Sequence, residues 1–97
     1  MENRVTLVHV EGPTSVHIEA EITDRGDLLL SGQDVGDAPR EFFGDADYEY
    51  WLRIEARNKD RLLLALLGKL YSGDPSLISQ FREYLESKGI PAEFNCF

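Results

Sequence analysis

The chain has 97 residues, 42% of them apolar and 29% charged, and a formal net charge of −8. That length suits one domain burying roughly 60–65% of its unfolded surface, and the apolar share excludes an intrinsically disordered chain. The longest apolar run, Leu62 to Leu67, is too short for a helical membrane span, and the lone cysteine, Cys96, excludes an internal disulfide.

The charge is unevenly placed. Residues 1–56 hold thirteen acids and four bases, a balance of −9; residues 57–89 hold four acids and six bases, a balance of +2; Glu93 is the remaining acid. The first segment therefore sets up a negative field that disfavours nucleic acid and favours a basic protein partner, although the same charge also serves solubility. Met1-Glu2-Asn3-Arg4 runs straight into a strand-like segment, without the charged-then-apolar layout of a signal peptide. With the single thiol, this gives the expectation of a cytoplasmic protein that does not contact membrane.

Val5 to Val10 is a β-rich run with apolar residues on both parities, as expected of a strand buried on both faces. Glu11-Gly12-Pro13-Thr14 carries turn chemistry. Ser15 to Ile22 alternates cleanly, with Val16, Ile18, Ala20 and Ile22 inward and Ser15, His17, Glu19 and Glu21 outward. Thr23-Asp24-Arg25-Gly26 predicts a tight hairpin with Gly26 at positive φ. Asp27 to Gln33 reads as a third strand. Next comes an acidic loop with Asp34, Asp37, Glu41, Asp45 and Asp47 against one base, Arg40, and with the apolar pair Phe42-Phe43. Tyr48 to Ala56 alternates again, placing Tyr48, Tyr50, Leu52, Ile54 and Ala56 on one side and Glu49, Trp51, Arg53 and Glu55 on the other.

Two helices are expected beyond this strand. Asn58 can cap the first, about Lys59 to Ser72, whose leucines 62, 63, 66, 67 and 70 form a wide stripe. Gly68 in that helix suggests close approach to a neighbour, and Gly73 ends it. Asp74-Pro75 starts the second helix, lined by Leu77, Ile78, Phe81, Tyr84 and Leu85, and Lys88-Gly89 closes it. Ala92 to Cys96 can form a short final strand. The expected architecture is α+β over 1–97 as a single domain. An antiparallel four-stranded meander carries an αα-hairpin packed on one face and a short C-terminal strand, a two-layer sandwich.

Signatures of catalysis are sparse. There is no glycine-rich phosphate loop, no Cys-x-x-Cys and no nucleophile elbow. His17 and Glu19 share one side of a strand and suit either acid–base or metal chemistry, or a solvated sheet face. Cys96 suits burial as a small apolar residue. Asp45-Ala46-Asp47 alternates carboxylates as some calcium loops do, but the glycine and bidentate glutamate of that pattern are missing, so no metal or cofactor is expected. Phe42-Phe43 would plug the end of a core or anchor a partner. Trp51 is the sharpest feature: with Tyr50 and Leu52 facing the helices it points away, open to a partner or covered by the C-terminal segment and Phe97.

Four stretches carry a resemblance. They are Ser31-Gly32-Gln33-Asp34, Phe43-Gly44-Asp45, Asp47-Tyr48-Glu49-Tyr50-Trp51, and Asp60-Arg61-Leu62-Leu63-Leu64-Ala65-Leu66-Leu67. Together the chain from Gly32 onward resembles a group of small bacterial proteins that have no established activity, so the resemblance implies no catalytic residue. In size, acidity and α+β layout the chain is also similar, without a specific motif, to bacterial toxin-immunity proteins. The resulting expectation is a non-enzymatic module that binds a basic protein through Trp51, Arg53, Glu49, Phe42, Phe43, Asp34, Asp37, Asp45 and Asp47. The alternative is a small enzyme or metal- or ligand-binding domain using His17, Glu19 and the loop carboxylates. Self-association across the open sheet face is a third reading.

Overall fold

The computed structural model describes residues 3–96; Met1, Glu2 and Phe97, with any cover Phe97 gives Trp51, lie outside the described residues. The chain divides into two compact units, Met1–Leu62 and Leu63–Phe97.

Alternating apolar residues and short turns make the first unit an antiparallel sheet. Its strands are β1 (Arg4–Val10), β2 (Thr14–Ile22), β3 (Leu28–Gly36) and β4 (Asp47–Ile54), in spatial order β1-β2-β3-β4. The register aligns the apolar sets in rows: Ile22–Leu28–Ile54, Ala20–Leu30–Leu52 and Ile18–Gly32–Tyr50. One face is thus apolar, and the other carries His17, Glu19, Ser31, Gln33, Glu49 and Trp51.

β1 was expected to be buried on both faces and is not. The register shifts between Thr6 and Val8, so Leu7 is an extra residue in the ladder. Val5 then joins Val8 and Val10 on the apolar face, opposite Ala20, Ile18 and Val16. The mixed parity of the sequence is the signature of this bulge on an edge strand.

The hairpin between β2 and β3 closes through Thr23 N to Asp27 O at 2.9 Å, with Gly26 at φ 85° as expected. Asp27 ties this turn to the end of β4: Oδ1 accepts from Ala56 N at 2.8 Å and Oδ2 from Arg53 Nη1 at 3.0 Å. The Ala56 amide first, and Arg53 after it, hold the Asp27 carboxyl below its ordinary range.

The acidic stretch is not a loop. β3 runs on to Gly36, and Asp37–Phe43 forms a short helix, α1. Thr14 Oγ1 accepts from Ala38 N at 2.9 Å, which anchors the first turn of α1 to β2. Pro39 lies in that first turn, where its missing N–H costs nothing.

Gly32 is buried under the ring of Tyr50, and a Cβ at that position would overlap the ring. The Tyr50 hydroxyl donates to Asp34 Oδ1 at 2.7 Å. That bond first, then burial and the Asp34 charge, push the phenol up to about 12. A raised phenol pKa means stability that is complete below the unfolded value near 10 and is lost as pH rises through about 12. At neutral pH, Tyr50→Phe should destabilise by about 1–2 kcal/mol. Asp34→Asn should lose part of the same energy, giving a coupling of at least about 0.5 kcal/mol in a denaturant double-mutant cycle. Additive effects would mean the bond contributes nothing.

A 3₁₀ turn, Ala56–Asn58, leads into α2 (Lys59–Tyr71). In the second unit, α3 (Leu77–Ser87) meets the end of α2 through Tyr71 and Phe81, ring centroids 5.7 Å apart. Leu67, Tyr71, Leu77, Phe81 and Leu85 are half-buried, whereas Leu63, Leu66 and Leu70 are exposed. Gly68 has open space around it, not the close neighbour its presence suggested. α3 begins at Leu77 with Ser76 as its N-cap, later than the expected start at Asp74-Pro75, and Asp74 shapes the turn before it: Oδ1 accepts from Ser76 N at 2.9 Å and Ser76 Oγ at 2.7 Å. The Ser76 bonds hold its carboxyl below the ordinary range.

The expected C-terminal strand does not form; residues 90–96 have no regular structure. Ile90 N is committed to Leu85 O at 2.9 Å, closing the helix, and Pro91 has no N–H to give a ladder. Phe94 instead lies under the Arg82 guanidinium, 4.0 Å from its centroid.

No aliphatic or aromatic side chain among the described residues is fully buried. On the apolar face Leu52 is 61% exposed, and on α2 Leu70 is 69% exposed. No helix among the described residues is long and apolar enough to cross a membrane.

Candidate functional site

β4 is an edge strand, and its alternation fixes the direction of every side chain on it. With Tyr50 and Leu52 on the apolar face, Trp51 lies on the polar face, where it is 63% exposed. Ser31 stands opposite it on β3, and Glu19 stands opposite Ser31 on β2. The adjoining row is Glu49, Gln33 and His17. Between these rows is an open cavity of about 200 Å³, lined by His17, Glu19, Ser31, Gln33, Glu49 and Trp51.

The charges around this cavity are arranged unequally. His17 Nε2 and Glu19 Oε1 are 2.9 Å apart, and Arg4 Nη1 is 3.6 Å from Glu19 Oε2. The bond to His17 first, with help from Arg4, holds the Glu19 carboxyl below its ordinary range. Glu49 makes no ion pair within 4.0 Å among the described residues. Gln33 Nε2 donates to Asp47 Oδ1 at 3.0 Å, which orients the start of β4.

The nine residues expected to form one partner surface divide among different places. Trp51, Glu49 and Asp47 share the polar face. Arg53 is on that face too, but its guanidinium is engaged by Asp27 at the hairpin end. Asp34 is on the apolar face, bonded to Tyr50. Phe43 stacks on Tyr48 with centroids 4.4 Å apart, and Tyr48 belongs to the apolar face. Asp37 and Phe42 are on α1, where Phe42 is 77% exposed. Asp45 Oδ1 accepts from Asp47 N at 3.1 Å and shapes the entry to β4. Ser31 and Gln33 were not among the expected partner-binding residues, although strand register places them on the Trp51 face.

The His17–Glu19 pair of the alternative reading does form. The carboxylates that were to complete it do not converge: Asp34 is on the other face, and no group of three His, Cys, Asp or Glu gathers at metal-binding distance among the described residues. His17 also packs edge-on against His9, centroids 5.4 Å apart. Cys96 is exposed, contrary to the expectation of burial. Comparison with protein-family models, with curated proteins and with solved structures finds no match to this chain.

Proposed function

We propose that the chain is a non-enzymatic interaction module, of the inhibitor or immunity type, that docks a basic protein onto the polar face of its sheet. The observation that carries this reading is Trp51, 63% exposed on an edge strand beside Glu49, whose carboxylate makes no ion pair among the described residues. A large exposed indole among ionised groups is the composition of an interface hot spot. The acidic residues of α1 and its flanks, Asp37, Glu41 and Asp45, supply the long-range attraction that speeds encounter and selects a basic partner.

This reading needs the opposite sheet face to be closed. We propose the two-layer sandwich, in which an αα-hairpin covers that face. The apolar sheet face and the leucines of α2 are each in part exposed, and residues 55–58 join β4 to α2.

The test uses the basic protein recovered by affinity capture from the source cells, then purified and titrated against variants. Trp51→Ala should weaken that complex about 30-fold or more, the effect of losing about 2 kcal/mol at a hot spot. The same change should alter folding stability by less than about 1 kcal/mol. A variant that unfolds would make Trp51 a core residue, and an unchanged titration would remove the docking role.

A further inference from the structure

Resting on the reading that the polar face docks a protein, we propose that the notch beside Trp51 receives one cationic side chain of the partner, arginine in preference to lysine.

The notch follows from residue size. Glu19, Ser31 and Trp51 lie in one row across β2, β3 and β4. Two strand spacings of about 4.8 Å set Trp51 and Glu19 roughly 10 Å apart. Ser31 between them is too short to fill the gap and becomes its floor, while Glu49 and Gln33 bound the next row. The volume of about 200 Å³ falls below the roughly 300–1,000 Å³ of small-molecule sites, which favours a single side chain over a cofactor.

The lining selects charge and shape. Indole is the best cation–π acceptor among side chains, and the exposed Trp51 ring borders the notch. Glu49 offers a carboxylate with no ion pair of its own among the described residues. Glu19 is ionised but shared with His17 and Arg4, so it contributes less than Glu49. A planar guanidinium can stack on an indole and direct its N–H fork at a carboxylate simultaneously, which a lysine ammonium cannot do.

Trp51 is the sole tryptophan of the chain, so its emission reports on this notch without labelling. At low ionic strength, hexaarginine should change that emission saturably, hexalysine should bind several-fold more weakly, and hexaglutamate should have no effect. Glu49→Gln should weaken hexaarginine about 3- to 5-fold. Ser31→Val, a β-favouring change that fills the floor, should weaken it about 10-fold while the far-ultraviolet spectrum stays unchanged. Should Ser31→Val perturb the fold, Glu49→Gln alone decides. Hexaarginine affinity indifferent to Glu49→Gln, or no emission response, overturns the proposal. The purified partner separates the two readings: if it binds Glu49→Gln and Ser31→Val as tightly as the wild type but not Trp51→Ala, the notch is wrong and the docking face stands.

Discussion

On the proposed two-layer sandwich, Leu30→Asp should cost about 3–5 kcal/mol and bring the protein close to unfolding. Leu30 occupies the middle row of the apolar sheet face, between Ala20 on β2 and Leu52 on β4. How much a carboxylate costs there depends on what lies over it. On a face open to water it would keep its hydration, and the change would be limited to lost strand propensity and contact, about 1 kcal/mol. Under a leucine cover it would be desolvated without a partner, and the larger figure applies. The helical counterpart is Leu66→Asp. On a solvated helix it costs about 0.7 kcal/mol in propensity; against the sheet it should cost about 3 kcal/mol or more. Two large losses in urea denaturation, coupled in the double variant, fit the closed sandwich. Two small ones would leave both faces open. Large losses that depend on protein concentration, with a doubled mass in light scattering, would put the leucines of a second copy on the sheet instead.

What the sequence revealed depended on how strongly each segment writes its burial into its pattern. β2 is half-buried from Thr14 to Glu21, so the alternation of Val16, Ile18, Ala20 and Ile22 showed its extent and direction. The direction of Trp51 followed in the same way from Tyr50 and Leu52. α1 was missed because its seven residues span only two turns, too few for a helical period to stand out, and its anchor is Thr14 on another strand. It ends at Gly44, whose φ of 75° is left-handed. The partner surface was drawn too wide because acidic residues were grouped by nearness in sequence. Counting parity from Leu28 through Leu30 and Gly32 assigns Asp34 to the apolar face, but ending β3 at Gln33 concealed it. The expected strand at residues 92–96 fails because Pro91 and the closure of α3 precede it and because Phe94 packs under Arg82, a contact with a residue earlier in the chain that no local pattern reveals.

Gly36→Ala should be the most damaging conservative substitution in the first unit. Gly36 has φ 133° and ψ −142°, a region closed to side-chain-bearing residues. Its place in the chain demands that conformation, since β3 ends and α1 begins there. Gly36 N donates to Ala46 O at 2.8 Å, and the next amide, Asp37 N, donates to Pro13 O at 3.0 Å. A Cβ on Gly36 would collide with that same Pro13 carbonyl oxygen, and the atom in the way is backbone, so no rotamer change relieves the clash. Backbone strain of about 1–3 kcal/mol adds to displacement of packed atoms costing about 1–3 kcal/mol. The sum, roughly 2–6 kcal/mol, is a large share of the 5–15 kcal/mol by which domains are stable. The damage should be local before it is global. In hydrogen exchange the amides of Asp37 and Ala38, bonded to Pro13 O and Thr14 Oγ1, should lose protection before those of β2 and β3. Phe43 would then leave Tyr48, so the acidic end would loosen while the Trp51 row, built on β2, β3 and β4, kept its register. A cost below about 1 kcal/mol with both amides still protected would show that α1 is not held to the sheet through this junction.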